Sequence, residues 1–337
     1  MGEIEFGLPL VWAAIIGFAV AMYVVLDGFV LGLGTLFPLF PLEADRDQMM
    51  NTVAPFWDAN QTWLVLGGGG LWIAFPLAFA VMMPAVYVPV LVMLLALIFR
   101  GVAFEYRWVA KPRHHAWDRA FAGGSIVATL SQGFVLGGYL QGITVRDGEF
   151  AGYALDWLTP FTLLCGLGLL AGYSLLGACW LVMKTDGEVE RRARKQAQWL
   201  LLATVAFVGI VSVWTPLAVP HVADRWFTMP NLLYLSPVPL ATAAVMLGCW
   251  FGLAKGKHVQ PFVCAVLLFL LAYAGLVVSN VPYIVPPSLT IHEAAAHRNA
   301  QVFVLVGVAI LMPIILAYTI FNYWVFRGRV KEGEGYH

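Results

Sequence analysis

The fold class is decided by residues 8–37, which read LPLVWAAIIGFAVAMYVVLDGFVLGLGTLF. Asp27 is the only charged residue in this stretch. A helix needs about 20 predominantly apolar residues to cross a bilayer, so the segment is long enough to do so. It also lacks the alternation of apolar and polar residues that is typical of a membrane β-strand. The stretch therefore predicts a transmembrane helix with one acidic side chain inside it.

The composition extends this prediction to the whole chain. The 337 residues are 61% hydrophobic and 11% charged, whereas soluble globular proteins are about 25% charged. This excludes a water-soluble fold, because there is too little polar surface to cover one. The net charge is zero, which argues against a nucleic-acid partner, since such proteins usually present a basic face. We expect an all-α polytopic membrane protein.

Nine apolar stretches satisfy the length requirement, and together they predict a single integral membrane domain over residues 1–337. Sixteen of the 19 Lys and Arg residues fall on one side of these spans. Basic residues are retained in cytoplasmic loops, which predicts the N-terminus outside and the C-terminus inside. The acidic start Met-Gly-Glu-Ile-Glu is unlike a cleavable signal, so the first span is expected to be retained. The predicted spans are 8–37, 53–75, 84–104, 119–142, 158–183, 196–217, 237–254, 259–281 and 300–326.

Two acids lie within the predicted spans, Asp27 in the first and Asp58 near the start of the second. A charged side chain deep in a bilayer costs at least about 2.5–3.5 kcal/mol, so such residues face protein or water and are functional candidates. Both are predicted in the cytoplasmic half of one helical hairpin. Two structural alternatives remain open: Asp58 caps the helix N-terminus, and Asp27 makes a helix-contact hydrogen bond beside Gly28.

Further polar residues accompany Asp58 in the second span. Asp58, Gln61, Thr62 and Val65 follow the helical spacing i, i+3, i+4 and i+7, so they share one face of the predicted helix. The carboxylate, amide and hydroxyl groups on this face can hold water and relay a proton. Arg100 ends the third span and either snorkels to the interface or pairs with an acid of a partner. The candidate residues besides Asp27 are Asp58, Gln61, Thr62 and Val65 on the face, Trp57 and Asn60 alongside it, and Arg100.

The cysteines and histidines predict no haem or metal ligand in this chain. The four cysteines lie singly inside predicted spans, where cysteine behaves as a small packing residue. The seven histidines all lie in loops or the tail, and none is well placed to ligate a haem buried in the bilayer.

Four stretches in order along the nine spans carry a family resemblance: LDGFVLGLG (26–34), APFWDANQTWLV (54–65), FRGVAFEYR (99–107) and VPYIVPPSLT (281–290). With these motifs the chain resembles subunit II of cytochrome bd-type quinol oxidases, in the cyanide-insensitive branch. The resemblance covers the whole chain. It implies two four-helix bundles with a peripheral ninth helix, in a bacterial inner membrane.

The resemblance also implies a division of labour. A homologous subunit I would form a heterodimer with this chain, carry haems b558, b595 and d, oxidise quinol and reduce oxygen to water. Subunit II would support assembly and help to supply protons from the cytoplasm. Asp58 and Asp27 match acids of the family motifs. The family commonly has a second acid where this chain has Val30, so Asp58 would carry more of the proton route.

Several alternatives stay open from the sequence. The resemblance is compatible with a quinone or a lipid in a cleft of this chain, and with additional small single-span subunits. A proton-coupled secondary transporter would also place acids in the membrane, although no counterpart of WDANQ occurs in the later spans. A passive structural subunit, with both acids as packing groups, is a third interpretation.

Overall fold

The computed structural model describes residues 7–110 and 114–331. Two of the basic residues used to predict orientation, Lys111 and Arg113, lie outside the described residues, as does the acidic N-terminal stretch. Helices dominate the fold, and the strands form only two short hairpins. The elements are α1 Leu8–Leu36, α2 Glu43–Asn51, α3 Thr62–Ala74, α4 Pro76–Ala85, α5 Tyr87–Val109, α6 His115–Gln141, β1 Val145–Arg146, β2 Glu149–Phe150, α7 Pro160–Lys184, α8 Gly187–Ala218, α9 Pro220–Phe227, α10 Asn231–Leu235, α11 Pro237–Ala254, α12 Val259–Asn280, β3 Tyr283–Val285, β4 Leu289–Thr290 and α13 Arg298–Val325.

Eight helices in the described residues are long and apolar enough to cross a membrane. They lie over the first and the third to ninth predicted spans. The second predicted span corresponds to α3 with its preceding turn, which forms a bent pair with α4. The chain bends by 119° between the two, and α4 lies almost wholly between the second and third predicted spans. The number of spans is therefore eight, or nine if the bent pair crosses the membrane as one unit. The all-α polytopic fold class is confirmed.

The second span begins later than its predicted bounds of 53–75, and it ends where the prediction places its end. Residues 53–58 form turns, a short 3-10 segment follows at Ala59–Gln61, and the α-helix begins only at Thr62. At the other end Phe75 leaves the helical conformation before Pro76. Proline has no amide hydrogen to donate and disfavours the helical conformation of the residue before it. Hydropathy does not register the late start of the helix, because residues 53–57 are apolar although they form turns.

The long first helix, α1, is the centre of the arrangement. It packs against α3, α6, α7 and α12, while α5 packs on α6, α7 on α8, and α11 on α12. The last helix, α13, contacts α1 and α3 but buries only Gln301 and Asn322. Asn322 donates a 2.7 Å hydrogen bond to the Pro55 carbonyl, which helps to fasten α13 to the turn before α3.

The crossing of α1 and α7 depends on two glycines. A Cβ atom added to Gly32 would lie 1.7 Å from the carbonyl oxygen of Tyr173, and one added to Gly177 would lie 2.4 Å from the Gly32 backbone. Small residues at such a crossing let two membrane helices approach closely. Because the obstructing atoms belong to the backbone, a side-chain adjustment cannot make room for a larger residue.

Substitution Gly32→Ala should therefore separate α1 from α7. Overpacking of this kind costs roughly 1–3 kcal/mol, so we expect a fall of several degrees in the melting temperature of the purified protein. Gly307→Ala on α13 is the matched control, because a Cβ there meets nothing within 4 Å. Equal melting temperatures for the two variants would contradict the proposed importance of the crossing.

Candidate functional site

A buried ion pair joins α1 to α5. Arg100 Nη1 donates a 2.9 Å hydrogen bond to Asp27 Oδ1, and the side chains are 1% and 0% exposed. This differs from both interpretations of Arg100 drawn from the sequence, snorkelling and pairing with an acid of a partner. The arginine instead turns into its own chain, because the carboxylate of Asp27 offers it a buried counter-charge.

Helix α6 packs closely against α5 beside Arg100 and so helps to bury the ion pair. A Cβ added to Gly124 on α6 would lie 2.8 Å from the Ala96 carbonyl and 3.1 Å from the Arg100 nitrogen. Even so, the pair is held by a single hydrogen bond. Within the described residues, Asp27 Oδ2 and Arg100 Nε and Nη2 have no hydrogen-bond partner. Arg100 can therefore still donate hydrogen bonds, and Asp27 can still accept one.

A chain of polar side chains runs from α1 through α6 to α7. Gln132 Nε2 donates a 2.9 Å hydrogen bond to the Tyr23 hydroxyl, and the Tyr173 hydroxyl donates a 3.0 Å bond to Gln132 Oε1. Tyr23 precedes Asp27 by one helical turn on α1. Sequence reasoning missed these three residues, although an amide inside an apolar span, Gln132, was a usable signal.

Asp58 occupies a different environment from Asp27. It lies at the end of the turns that precede the 3-10 segment, not inside an α-helix, and its side chain is exposed. It makes no capping hydrogen bond to that segment, so the capping alternative is not what the structure shows. Within residues 7–110 and 114–331 no hydrogen bond or salt bridge to its carboxylate is observed.

Trp57 and Asn60 fix the turn that carries Asp58. The Trp57 ring lies 5.0 Å from that of Phe104 on α5. Asn60 is buried, and its Nδ2 donates a 2.8 Å hydrogen bond to the carbonyl of Leu26, the neighbour of Asp27. The Tyr323 hydroxyl donates a 3.2 Å bond to Asn60 Oδ1. Asn60 thus ties the turn to α1 and α13 at once.

The remaining candidates lie at the start of α3. Thr62 is exposed and Gln61 is half-buried, while Val65 one turn further is 72% exposed. The predicted common face is therefore interrupted, since Asp58 precedes the α-helix. Even so, Asp58, Thr62 and Val65 all lie on the exposed surface of the chain.

A second group of charges lies two turns beyond Arg100 on α5. Arg107 is fully buried, and its Nε donates a 2.6 Å hydrogen bond to Asp118 Oδ1 on α6. It also pairs with Asp47 on α2. Arg46 Nη1 donates a 2.8 Å bond to the other oxygen of Asp118. These contacts join α2, α5 and α6 and were not predicted from the sequence.

Comparison with known proteins decides the family. The profile described as "Cytochrome bd terminal oxidase subunit II" matches residues 8–326. The chain belongs to this family. Subunit II sequences with similar length include "Cytochrome bd-I ubiquinol oxidase subunit 2" of Escherichia coli strain K12, which is 29% identical over 97% of this chain and 96% of its own length. "Cytochrome bd ubiquinol oxidase subunit 2" of Bacillus subtilis is 27% identical over 96% of this chain and 97% of its own.

The fold comparison agrees with the family. The structure of bd oxidase from Geobacillus thermodenitrificans contains a chain that matches with a TM-score of 0.76 at 15% identity, over 94% of this chain and 98% of that one. At this identity the match supports the fold alone. This subunit II is therefore a multi-pass protein of the bacterial inner membrane and part of a quinol oxidase, an oxidoreductase complex.

Family membership also implies a partner, subunit I, with haem cofactors and a quinol substrate. The histidines of this subunit II fit that arrangement, because those within the described residues lie in loops or at helix ends: His114, His115, His221, His258, His292 and His297. None is placed to reach a haem at membrane depth from the middle of a span. The family match also decides against the secondary transporter.

The ion pair between Asp27 and Arg100 is open to a double-mutant test. Removing one partner of a buried pair leaves an uncompensated charge and costs about 3–5 kcal/mol. We expect Asp27→Asn and Arg100→Met each to lower the melting temperature more than the double variant does. The measurement is thermal unfolding of the purified oxidase. Additive losses in the double variant would show that the two side chains do not depend on one another.

Proposed function

We propose that this subunit II supports the assembly of subunit I and helps to supply protons from the cytoplasm for the reduction of oxygen to water. In this proposal the two subunits form a heterodimer, and haems b558, b595 and d belong to subunit I. The observation that carries the proposal is the exposed carboxylate of Asp58, on a turn that Asn60 ties to α1 at Leu26.

The depth of Asp58 follows from the contact of Asn60 with α1. Asn60 bonds to the carbonyl of Leu26, ten residues before the end of α1 at Leu36. At 1.5 Å per residue that distance is about 15 Å. The turn carrying Asp58 therefore lies beside α1 well before its end, and in this proposal that level is inside the membrane. An ionisable group exposed to lipid at such a depth is costly, which favours a surface covered by protein or water.

A partner and a water-filled path would satisfy this requirement together. Subunit I covering the exposed face of α3 would bury Asp58 and Thr62 at the interface between the subunits. Carboxylate, hydroxyl and amide groups can all hydrogen-bond to water, so Asp58, Gln61 and Thr62 would line the beginning of a proton path. Trp57 and Asn60 would hold the turn in place by the contacts described above.

Asp27 has a supporting role in this proposal. Its carboxylate is bound to Arg100 through one oxygen, while Oδ2 remains without a hydrogen-bond partner in the described part of the chain. That oxygen could accept a hydrogen bond from water beside the path. Val30 lies fully buried in the core, where the family commonly has a second acid. A route through that second carboxylate is absent here, so more of the transfer rests on Asp58.

An apolar face of α8 is relevant to the expected lipid or quinone. It is an open surface formed by Gly209, Ile210, Val213, Trp214, Leu217 and Ala218. None of these carries a charge, so this face suits an acyl or isoprenoid tail and offers no ionic anchor for a head group. We propose a membrane lipid tail as its occupant.

The proton-path role predicts the effect of Asp58→Asn, which removes the titratable group and keeps the size. Loss of a positioned proton-transfer group lowers a reaction rate by roughly 10²-fold, and we expect turnover to fall toward that extent. The haem absorption spectrum should be unchanged. The measurement is quinol-dependent oxygen uptake by the purified oxidase.

Two comparison variants make this test specific. Asp58→Glu restores a carboxyl group and should recover most of the turnover. Glu149→Gln removes an exposed acid of the β1–β2 hairpin and should change nothing. Full turnover in Asp58→Asn would refute the proton-path role, whereas loss of the haem spectrum would point to assembly instead.

A further inference from the structure

Two histidines and an acid converge at the start of α6. His114 is the residue before the helix, His115 its first residue, and Asp118 lies one turn further. One nitrogen of each histidine and one carboxylate oxygen of Asp118 all lie within 4.8 Å of one another. Glu43, at the first turn of α2, contributes a fourth potential ligand, with Oε2 3.6 Å from His114 Nε2.

His114 is the unusual member of this group. Its side chain is only 2% exposed, yet neither ring nitrogen has a hydrogen-bond partner in the part of the chain that the structure describes. A buried polar group left unsatisfied costs about 1–3 kcal/mol. The ring nevertheless directs Nε2 toward two carboxylates, which is the arrangement of a ligand rather than of a packing residue.

The spacing between the donor atoms fits a metal centre better than a set of hydrogen bonds. His114 Nε2 and His115 Nδ1 each lie 3.8 Å from Asp118 Oδ2. These separations exceed hydrogen-bonding distance. Ligands at 2.0–2.1 Å around a tetrahedral Zn²⁺ lie about 3.4 Å apart, so donor atoms that lie within 4.8 Å of one another would have to approach by up to about 1.4 Å on binding.

Two arginines contact Asp118 and reduce its capacity to bind a metal ion without abolishing it. Arg46 binds Oδ2 and Arg107 binds Oδ1, so both oxygens already accept a hydrogen bond. A carboxylate oxygen has a second lone pair, and Oδ2 can therefore hold a metal ion and Arg46 together. The positive neighbours would weaken binding, whereas Glu43 would offset them.

We propose that His114 Nε2, His115 Nδ1 and Asp118 Oδ2, with Glu43 Oε2, bind one divalent transition metal ion of the Zn²⁺ class. Imidazole nitrogen favours this class over Mg²⁺ and Ca²⁺, which prefer oxygen ligands alone. The metal ion would link α2 to the start of α6, at the face predicted to be cytoplasmic. The sequence analysis predicts no metal ligand in this chain, although His114, His115 and Asp118 lie within one helical turn of one another; only Glu43 is brought to them by the fold.

The test is zinc binding by the purified oxidase complex. The protein is stripped with a chelator, equilibrated with Zn²⁺ and desalted, and zinc is measured per haem iron by mass spectrometry. His115→Ala is the main variant, because that side chain is 73% exposed and its loss should not affect folding. We expect wild type to retain one zinc ion more than His115→Ala and than His114→Gln.

Two further measurements make the result decisive. His292→Ala removes an exposed histidine of a distant loop and should retain zinc like wild type. X-ray absorption at the zinc edge should show nitrogen and oxygen ligands at 2.0–2.1 Å. Equal zinc content in wild type and His115→Ala, or no zinc in wild type, would overturn the proposal even if His114→Gln failed to assemble.

Discussion

The ion pair between Asp27 and Arg100 is the constraint around which the first half of the chain is arranged. An arginine inside a bilayer is tolerated when it faces the protein interior and is neutralised there. Arg100 meets both conditions only if α5 and α1 stay close enough for its hydrogen bond to Asp27. Gly124 allows α6 to pack against α5 at the same level. Helix positions are thus set by charge as well as by apolar packing.

The same physical rule explains why Asp58 differs from Asp27. Asp27 is neutralised within its own chain, whereas Asp58 is exposed and unpaired in the described residues. A counter-charge or water for Asp58 would therefore have to come from outside the described part of this chain. The sequence places both acids in predicted spans, Asp27 among apolar residues and Asp58 among polar ones. Only the fold shows that Asp27 holds two helices together while Asp58 stays exposed.

Hydropathy was sufficient to predict the helical class and the approximate positions of most helices, because long apolar runs leave few alternatives. It was insufficient for the second span, where the apolar residues before Thr62 form turns instead of a helix, and for α4, which lies almost wholly between the second and third predicted spans. The pairing of charged side chains could not be predicted from the sequence, for a different reason. Arg100 and Asp27 are separated by 73 residues, and one sequence does not reveal which helices are neighbours.

Arg100 and Arg107 show how α5 combines these constraints. They are seven residues apart, so they lie on one helical face about 10 Å from each other. Each is neutralised by acids from other elements: the first by Asp27 of α1, the second by Asp118 of α6 and Asp47 of α2. Glu105 between them is exposed. A single face of α5 thereby determines the positions of three other helices, which requires that the two arginines keep their register and that α5 remain unbroken over this length.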